Sequence, residues 1–135
     1  MDNGELIRLA LEAREAAYAP YSGFRVGAAL LTKDGKVYKG CNIENAGYTP
    51  TNCAERTAFF KAISEGERDF VAIAVVGGSG DLPKNYAFPC GVCRQVMMEF
   101  CEPKTFRVIT AISEKEYIDK TLEEMLPHGF GPFSL

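Results

Sequence analysis

Two short stretches decide how this chain must fold, Cys53-Ala54-Glu55-Arg56 and Pro89-Cys90-Gly91-Val92-Cys93. Between them they supply three cysteines whose thiolates can bind one zinc ion. Three protein ligands leave the fourth position of a tetrahedral zinc open to water, which marks a catalytic and not a closed structural site. Glu55 stands two residues from Cys53 and can move the proton of that water. The sequence therefore predicts a fold that brings both stretches to one metal ion.

Taken alone, Cys90 and Cys93 form a C-x-x-C motif that is equally compatible with a redox pair, half of a structural zinc site or a catalytic site. Cys53 and Glu55 favour the catalytic alternative, because a structural site has no use for a carboxylate that is not a ligand. Cys41 and Cys101 belong to no such motif, and we expect them to be small core residues.

Both cysteine stretches are predicted to lie at helix N-termini. Thr51 or Asn52 can cap a helix that runs to about Ser64, and Pro89 stands near the start of another that ends near Cys101. Helix N-termini present unpaired amides and a partial positive charge, which favour the thiolates that a metal needs.

The rest of the chain alternates helical and strand patterns. Apolar residues at helical spacing predict a helix over residues 5–18, which Pro20 ends. Strands are predicted at residues 25–32, 36–41, 70–76 and 106–112, with a hairpin turn at Asp34-Gly35. Strands that alternate with helices indicate a three-layer α/β domain, and we expect one domain over residues 1–135. Residues 77–85 are the one candidate for a mobile loop.

Composition argues for a small substrate. The net charge is −3 and 47% of residues are apolar, so no basic surface for a nucleic acid is apparent. We expect no secretory signal at the acidic N-terminus and no membrane span, since no apolar run is long enough. Five cysteines without an export signal favour metal binding over disulfides in a reducing compartment, by default the cytoplasm.

The chain resembles the small, homo-oligomeric cytidine deaminases of pyrimidine salvage. Zinc deaminases carry a non-ligand Glu beside one ligand and a P-C-x-x-C motif, in a form that allows three cysteines. The resemblance covers nearly the whole chain, in five ordered stretches at residues 19–29, 42–46, 51–56, 89–95 and 126–132. Two positions depart from the family pattern, since Phe88 replaces a small hydroxyl residue and His128 replaces glycine.

The resemblance implies a three-layer α/β/α cytidine-deaminase-like fold with a central mixed five-stranded sheet. It implies one Zn²⁺ per subunit, held by Cys53, Cys90 and Cys93, in a homotetramer with active sites shared between subunits. The tail from Met125 to Leu135 has neither a helical nor a strand period. In an isolated subunit it would expose its aromatic residues to solvent. In the family, the residue matching Phe130 reaches into the neighbour's active site.

Hydrolytic deamination of cytidine and 2'-deoxycytidine to the uridine forms is the activity that the resemblance implies. Glu55 would carry a proton from water to N3 of cytosine and then protonate the departing ammonia. Three thiolates give zinc a net negative charge, so Arg56 is placed to donate hydrogen bonds to the sulfurs and tune the site; the alternative is an ordinary surface ion pair. Arg94 and Gln95 are expected to support the site without touching substrate.

Asn42 and Glu44 lie two residues apart after a strand, so their side chains can point to one side. The resemblance implies that they bind the ribose 3'-hydroxyl, although both could merely cap a turn. The Glu44 carboxylate would repel a phosphate, which favours a free nucleoside. By resemblance, Phe24 and Ala54 also contact the substrate, while Phe24 could instead be a core residue.

Two other functions stay open at this point. One is deamination of a cytosine-containing antibiotic nucleoside or of a polynucleotide. The acidic composition and Glu44 disfavour the polynucleotide. The other is a zinc-stabilised binding or scaffold module, which the unligated Glu55 disfavours.

Overall fold

Helices and strands alternate along most of the chain. The computed structural model describes residues 1–135. In chain order the elements are α1 (Asn3–Arg14), β1 (Arg25–Thr32), β2 (Val37–Cys41), α2 (Ala54–Ser64), β3 (Phe70–Gly78), α3 (Gly91–Phe100), β4 (Arg107–Ala111), β5 (Tyr117–Thr121) and α4 (Leu122–Met125). A short 3-10 helix at Pro132–Ser134 follows.

The five strands form one mixed sheet in the spatial order β2-β1-β3-β4-β5. Strand β1 is antiparallel to both of its neighbours, β3 is parallel to β4, and β5 is antiparallel to β4. Strands β2 and β3 therefore run in the same direction and end at the same edge of the sheet. The predicted mixed five-stranded sheet is confirmed.

Side chains of β1 alternate between two apolar cores, as a strand requires. Ala28 and Leu30 pack with α2 and α3 on one face, and Ala29 and Leu31 pack with α1 on the other. The larger core centres on the buried ring of Phe59. The predicted three-layer arrangement is therefore confirmed.

Two glycines allow helices to lie directly on the sheet. A Cβ atom on Gly40 of β2 would lie 2.4 Å from the carbonyl oxygen of Ala54, in the first turn of α2. A Cβ atom on Gly27 of β1 would lie 2.1 Å from the carbonyl oxygen of Ala10 in α1. Any larger residue at Gly40 would push the start of α2 off the sheet.

The first helix ends earlier than predicted, at Arg14 and not at residue 18. The amides of Ala16 and Ala17 bond back only three residues, so the helix tightens into a turn. Tyr18 then forms a parallel bridge with Ile43, which takes the chain out of the helical path.

The prediction that Thr51 or Asn52 caps the second helix was wrong, because Cys53 itself occupies the N-cap position of α2. Asn52 instead exchanges two backbone hydrogen bonds with Ile43. Its side chain donates to Oγ1 of Thr57. The cysteine thus stands at the point where the backbone changes from extended to helical.

The four strands predicted from the sequence pattern are present, with small differences at their ends, and a fifth strand, β5, was not predicted from that pattern. Strand β1 has the predicted bounds, β2 begins one residue later than expected, and Gly35 has the positive φ of 88° that its turn requires. Strand β3 extends to Gly78. Strand β5 carried no apolar pattern, because it lies at the sheet edge with exposed or partly exposed side chains.

None of the helices combines the length and the apolarity needed to cross a membrane.

Candidate active site

One edge of the sheet gathers the chemistry-bearing residues. Strands β2 and β3 end there, and β1 begins there, since Arg25 pairs with Gly78 and Gly27 pairs with Cys41. Helix α2 follows β2 and helix α3 follows β3. The N-termini of both helices therefore meet above this edge.

The three predicted cysteine ligands converge where the helices meet. Cys53 is the N-cap of α2 and Cys90 is the N-cap of α3, and neither makes a side-chain capping bond. Cys93 is the third residue of α3, so its side chain lies beside that of the N-cap residue. Cys90 is exposed, Cys53 half-buried and Cys93 buried.

The sulfur spacing fits a tetrahedral zinc ion. Sγ of Cys53 lies 3.9 Å from Sγ of Cys90, which lies 3.6 Å from Sγ of Cys93. A Zn–S bond of about 2.3 Å in a tetrahedron places neighbouring sulfurs about 3.8 Å apart. These cysteines form the one group of His, Cys, Asp and Glu side chains in the structure that could hold a metal. Glu55 lies outside that group.

Arg56 contacts the sulfur cluster through Cys53. Its Nη2 atom donates a hydrogen bond to Sγ of Cys53 at 3.3 Å, while its Nε atom is buried without a partner. Hydrogen bonds from the Cys93 thiol and from Arg56 lower the pKa of Cys53 to about 5. The same hydrogen bond raises the pKa of Cys93. The guanidinium of Arg56 therefore lies next to the Cys53 thiolate.

Glu55 lies in the first turn of α2 and is 4% exposed. Burial raises the pKa of its carboxyl to about 7, and the nearby Cys53 thiolate acts in the same direction. A carboxyl with a pKa near neutrality can both accept and release a proton. The structure thus gives Glu55 the environment of a proton-transfer group beside the sulfur cluster.

A cleft of about 350 Å³ opens over the sulfur cluster. Its volume is in the range of sites that bind small molecules. It is lined by Ser22, Phe24, Val26, Asn42, Glu44, Thr51, Asn52, Cys53, Ala54, Glu55, Ala87, Phe88 and Cys90. Of the predicted substrate contacts, only Phe130 does not line it; this residue lies on the tail with its ring 59% exposed.

Asn42 anchors the start of β1 and the residue that precedes it, Phe24. Its Oδ1 accepts a hydrogen bond from the amide of Val26 at 2.9 Å, and its Nδ2 donates to the carbonyl oxygen of Phe24 at 2.8 Å. Asn42 is almost fully buried, so its amide is fixed in orientation. One N–H and one oxygen lone pair are left for a ligand.

Glu44 organises the loop before Phe24. Its carboxylate accepts hydrogen bonds from the amides of Tyr21 at 3.0 Å and Ser22 at 3.1 Å, and a short one from the hydroxyl of Ser22. The Ser22 hydroxyl and these amides lower the pKa of Glu44, so its charge is secure near neutral pH. Its side chain lines the same cleft as that of Asn42.

Sequence reasoning missed several residues that shape the cleft. Ser22 and Ala87 line it without having been singled out, and Thr51 was considered only as a helix cap, although Ser22 and Thr51 stand inside the motifs. Arg14 was also missed. It is a fully buried cation whose hydrogen-bond partners are all backbone carbonyls, so no side-chain pattern in the sequence could reveal them.

Comparison with known proteins gives a consistent result. A family model described as the cytidine and deoxycytidylate deaminase zinc-binding region matches residues 1–110. The chain is 55% identical over 130 residues to the cytidine deaminase of Halalkalibacterium halodurans, covering 96% of this chain and 95% of that protein. It is 49% identical to the cytidine deaminase of Sporosarcina psychrophila, covering 96% of this chain and 92% of that protein.

Solved structures agree with these sequence relatives. The crystal structure of cytidine deaminase from Burkholderia pseudomallei superposes with a TM-score of 0.88 at 48% identity, covering 96% of this chain and 100% of that one. The resemblance inferred from the motifs is therefore confirmed, and so is the fold.

Replacing Cys90 by alanine removes one corner of the sulfur triangle, so we expect bound zinc to fall well below about one ion per chain. Cys41→Ala is the matched control, because Cys41 is a half-buried cysteine of β2 outside the triangle. Metal analysis after dialysis against a weak chelator measures both variants. Full zinc retention by Cys90→Ala would contradict the ligand assignment.

Proposed function

Because the chain belongs to the cytidine and deoxycytidylate deaminase family, we propose that it catalyses zinc-dependent hydrolytic deamination of cytidine and 2'-deoxycytidine. The products are uridine, 2'-deoxyuridine and ammonia, which is a step of pyrimidine salvage. The observation that carries this proposal is the cleft in which a buried carboxyl, Glu55, stands beside three sulfurs spaced for zinc.

The sulfurs of Cys53, Cys90 and Cys93 would hold the metal. When bound, zinc supplies the Lewis acidity that lowers the pKa of a water molecule towards neutrality. Arg56 keeps a hydrogen bond on Cys53, which withdraws negative charge from the sulfur cluster. Because the three thiolates must stay reduced, the cytoplasm is the compartment that we propose.

Glu55 moves the protons of the reaction. Its carboxylate takes a proton from the attacking water as the oxygen bonds to C4 of cytosine, and delivers that proton to N3. It then takes the remaining proton of the new hydroxyl and gives it to the departing amino group. The C4–N bond breaks, ammonia leaves, and C4 becomes a carbonyl.

Glu55→Gln should retain zinc but reduce the turnover of cytidine roughly 10²-fold or more, because an amide cannot relay protons. Loss of the cytosine absorbance measures turnover, and metal analysis checks the site. Glu65→Gln, an exposed change at the far end of the same helix, is the control. Near-normal turnover by zinc-loaded Glu55→Gln would exclude this role.

The cleft supports recognition of a free nucleoside. Asn42 and Glu44 line it together, each with hydrogen-bonding capacity left after its contacts within the chain. We propose that these two side chains bind the ribose 3'-hydroxyl. The rings of Phe24 and Phe88 are 41% and 48% exposed at the same cleft, and Phe24 can pack against the pyrimidine ring.

We expect cytidine to react at least about tenfold better than cytidine monophosphate, since two like charges a few ångströms apart cost about 1 to 4 kcal/mol. The comparison is needed because the matching family model covers deoxycytidylate deaminases too. In Glu44→Gln the preference for cytidine over cytidine monophosphate should become smaller, because the negative charge that repels the phosphate is removed. Equal turnover of both substrates by the unmodified protein would overturn the proposed sugar recognition.

We also propose a homotetramer with shared active sites. Large apolar side chains stay exposed in the single chain, among them Tyr48 at 73%, Phe130 at 59% and Phe133 at 68%. Exposed apolar surface of this kind is typical of an interface between subunits. The backbone at Phe130 is held, because Nε2 of Gln95 donates to its carbonyl oxygen at 2.8 Å, although the residue is largely exposed.

A subunit-mixing experiment tests the shared sites. Glu55→Gln and Phe130→Ala should each be inactive alone. In oligomers mixed in equal amounts, about a quarter of the sites combine an intact cleft from one subunit with an intact tail from its neighbour, so about a quarter of normal activity should return. As the control, each variant is dissociated and reassociated by the same procedure without the other. No recovery in oligomers shown to be mixed, or a fully active monomer in sedimentation, would contradict the proposal.

A further inference from the structure

Arg14 is a buried cation outside the sulfur cluster. It is the last residue of α1 and is 1% exposed. Its guanidinium donates to four backbone carbonyl oxygens, those of Arg25 at 3.0 Å, Gly78 at 2.7 Å, Asp81 at 2.8 Å and Gly80 in a short contact. Burying a cation is costly unless its donors are satisfied, and here four of five are.

These four bonds join the start of β1 to the end of β3 and to the segment that follows it, and both regions lead to residues that line the cleft. Arg25 directly follows Phe24, whose ring lines one side. Gly78, Gly80 and Asp81 begin the segment that leads to Phe88 on the other side. The two walls also meet at Gly77, where a Cβ atom would lie 3.2 Å from the Phe24 ring and 2.9 Å from Ala87.

The segment has almost no other hydrogen-bonded support. Residues 79–89 contain no helix or strand and make no backbone–backbone hydrogen bonds. Their hydrogen bonds come from two arginines, Arg14 at the start and Arg94, whose Nε donates to the carbonyl oxygen of Pro89 at 2.8 Å. The segment 79–89, which overlaps the predicted mobile loop at residues 77–85, is therefore held by a side-chain hydrogen bond near each of its ends.

The two arginines hold different parts of the site. Arg94 holds Pro89, between Phe88 and the ligand Cys90, whereas Arg14 ties the other end of the segment to the carbonyl oxygen of Arg25, the residue after Phe24. Glu55 is on α2 and contacts neither arginine. A change at Arg14 should therefore alter substrate contact and leave the metal and the proton relay in place.

We propose that Arg14 is a positioning residue that sets affinity for the nucleoside by tying the start of the segment that leads to Phe88 to the backbone beside Phe24. This inference rests on the proposed function. It predicts a change in KM with little change in kcat, because the contacts concerned are with the bound substrate and not with the reacting atoms.

Arg14→Lys tests the proposal, because lysine keeps the charge but not the planar fork that reaches four carbonyls. KM for cytidine should rise about two- to twelvefold, the range that loss of one aromatic contact implies. Zinc content should be unchanged and kcat should stay within about twofold. Arg68→Lys is the matched control, since Arg68 also donates to two backbone carbonyls but is exposed and precedes the opposite end of β3.

A double-mutant cycle separates positioning from general stability. In a Phe24→Leu background the added effect of Arg14→Lys on KM should shrink to less than about twofold, because one wall is already altered. A purely structural arginine would lower the melting temperature in both backgrounds and leave KM unchanged. An unchanged KM, or a loss of zinc together with kcat, would overturn the proposal.

Gly78→Ala provides a second route if Arg14→Lys does not fold. Its Cβ atom would lie 3.2 Å from Cα of Pro83 and displace the clamped segment, whereas Gly80→Ala meets nothing closer than 3.8 Å. KM should rise in the first variant and not in the second; equal KM values would overturn the proposal. No turnover by the unmodified protein would instead overturn the proposed function, and this inference with it.

Discussion

Two helices of this protein must begin at the same edge of the sheet with their N-cap sulfurs 3.9 Å apart, and the rest of the site depends on that meeting. The parallel direction of β2 and β3 brings both helix starts to one edge. Gly40 lets α2 lie directly on β2, which fixes the height of Cys53 above the sheet. A four-residue C-x-x-C turn then supplies the two remaining sulfurs from α3.

The same geometry gives each neighbouring side chain its chemistry. Because Glu55 lies in the first turn of α2, it is buried next to the sulfurs and acquires a pKa near 7. Arg56, one residue further, reaches back to the Cys53 sulfur. The start of β1 reaches the same edge, so Phe24 lines the cleft; Asn42 donates to its carbonyl oxygen, and Glu44 holds the loop before it. The groups for proton transfer, for neutralising the sulfur charge and for substrate contact thus all lie where the two helix N-termini meet at the sheet edge.

Much of this could be predicted, because ligand chemistry and helix or strand periods restrict residue types. The cysteines, Glu55 and strand β1 left clear patterns. The end of α1 did not, since the tight turn after Arg14 depends on pairing of Tyr18 with distant Ile43. Strand β5 lacked an apolar pattern because it is an exposed edge. The hydrogen bonds of Arg14 left no pattern in the sequence, because its acceptors are backbone carbonyls, which every residue carries.

The central claim is that three cysteines hold zinc and leave one position open. X-ray absorption at the zinc edge, measured on the purified protein without substrate, tests it most directly. The account predicts three sulfur neighbours at about 2.3 Å and one oxygen at about 2.0 Å. Four sulfur neighbours would contradict it, since a closed shell would leave no place for the water that Glu55 is proposed to deprotonate.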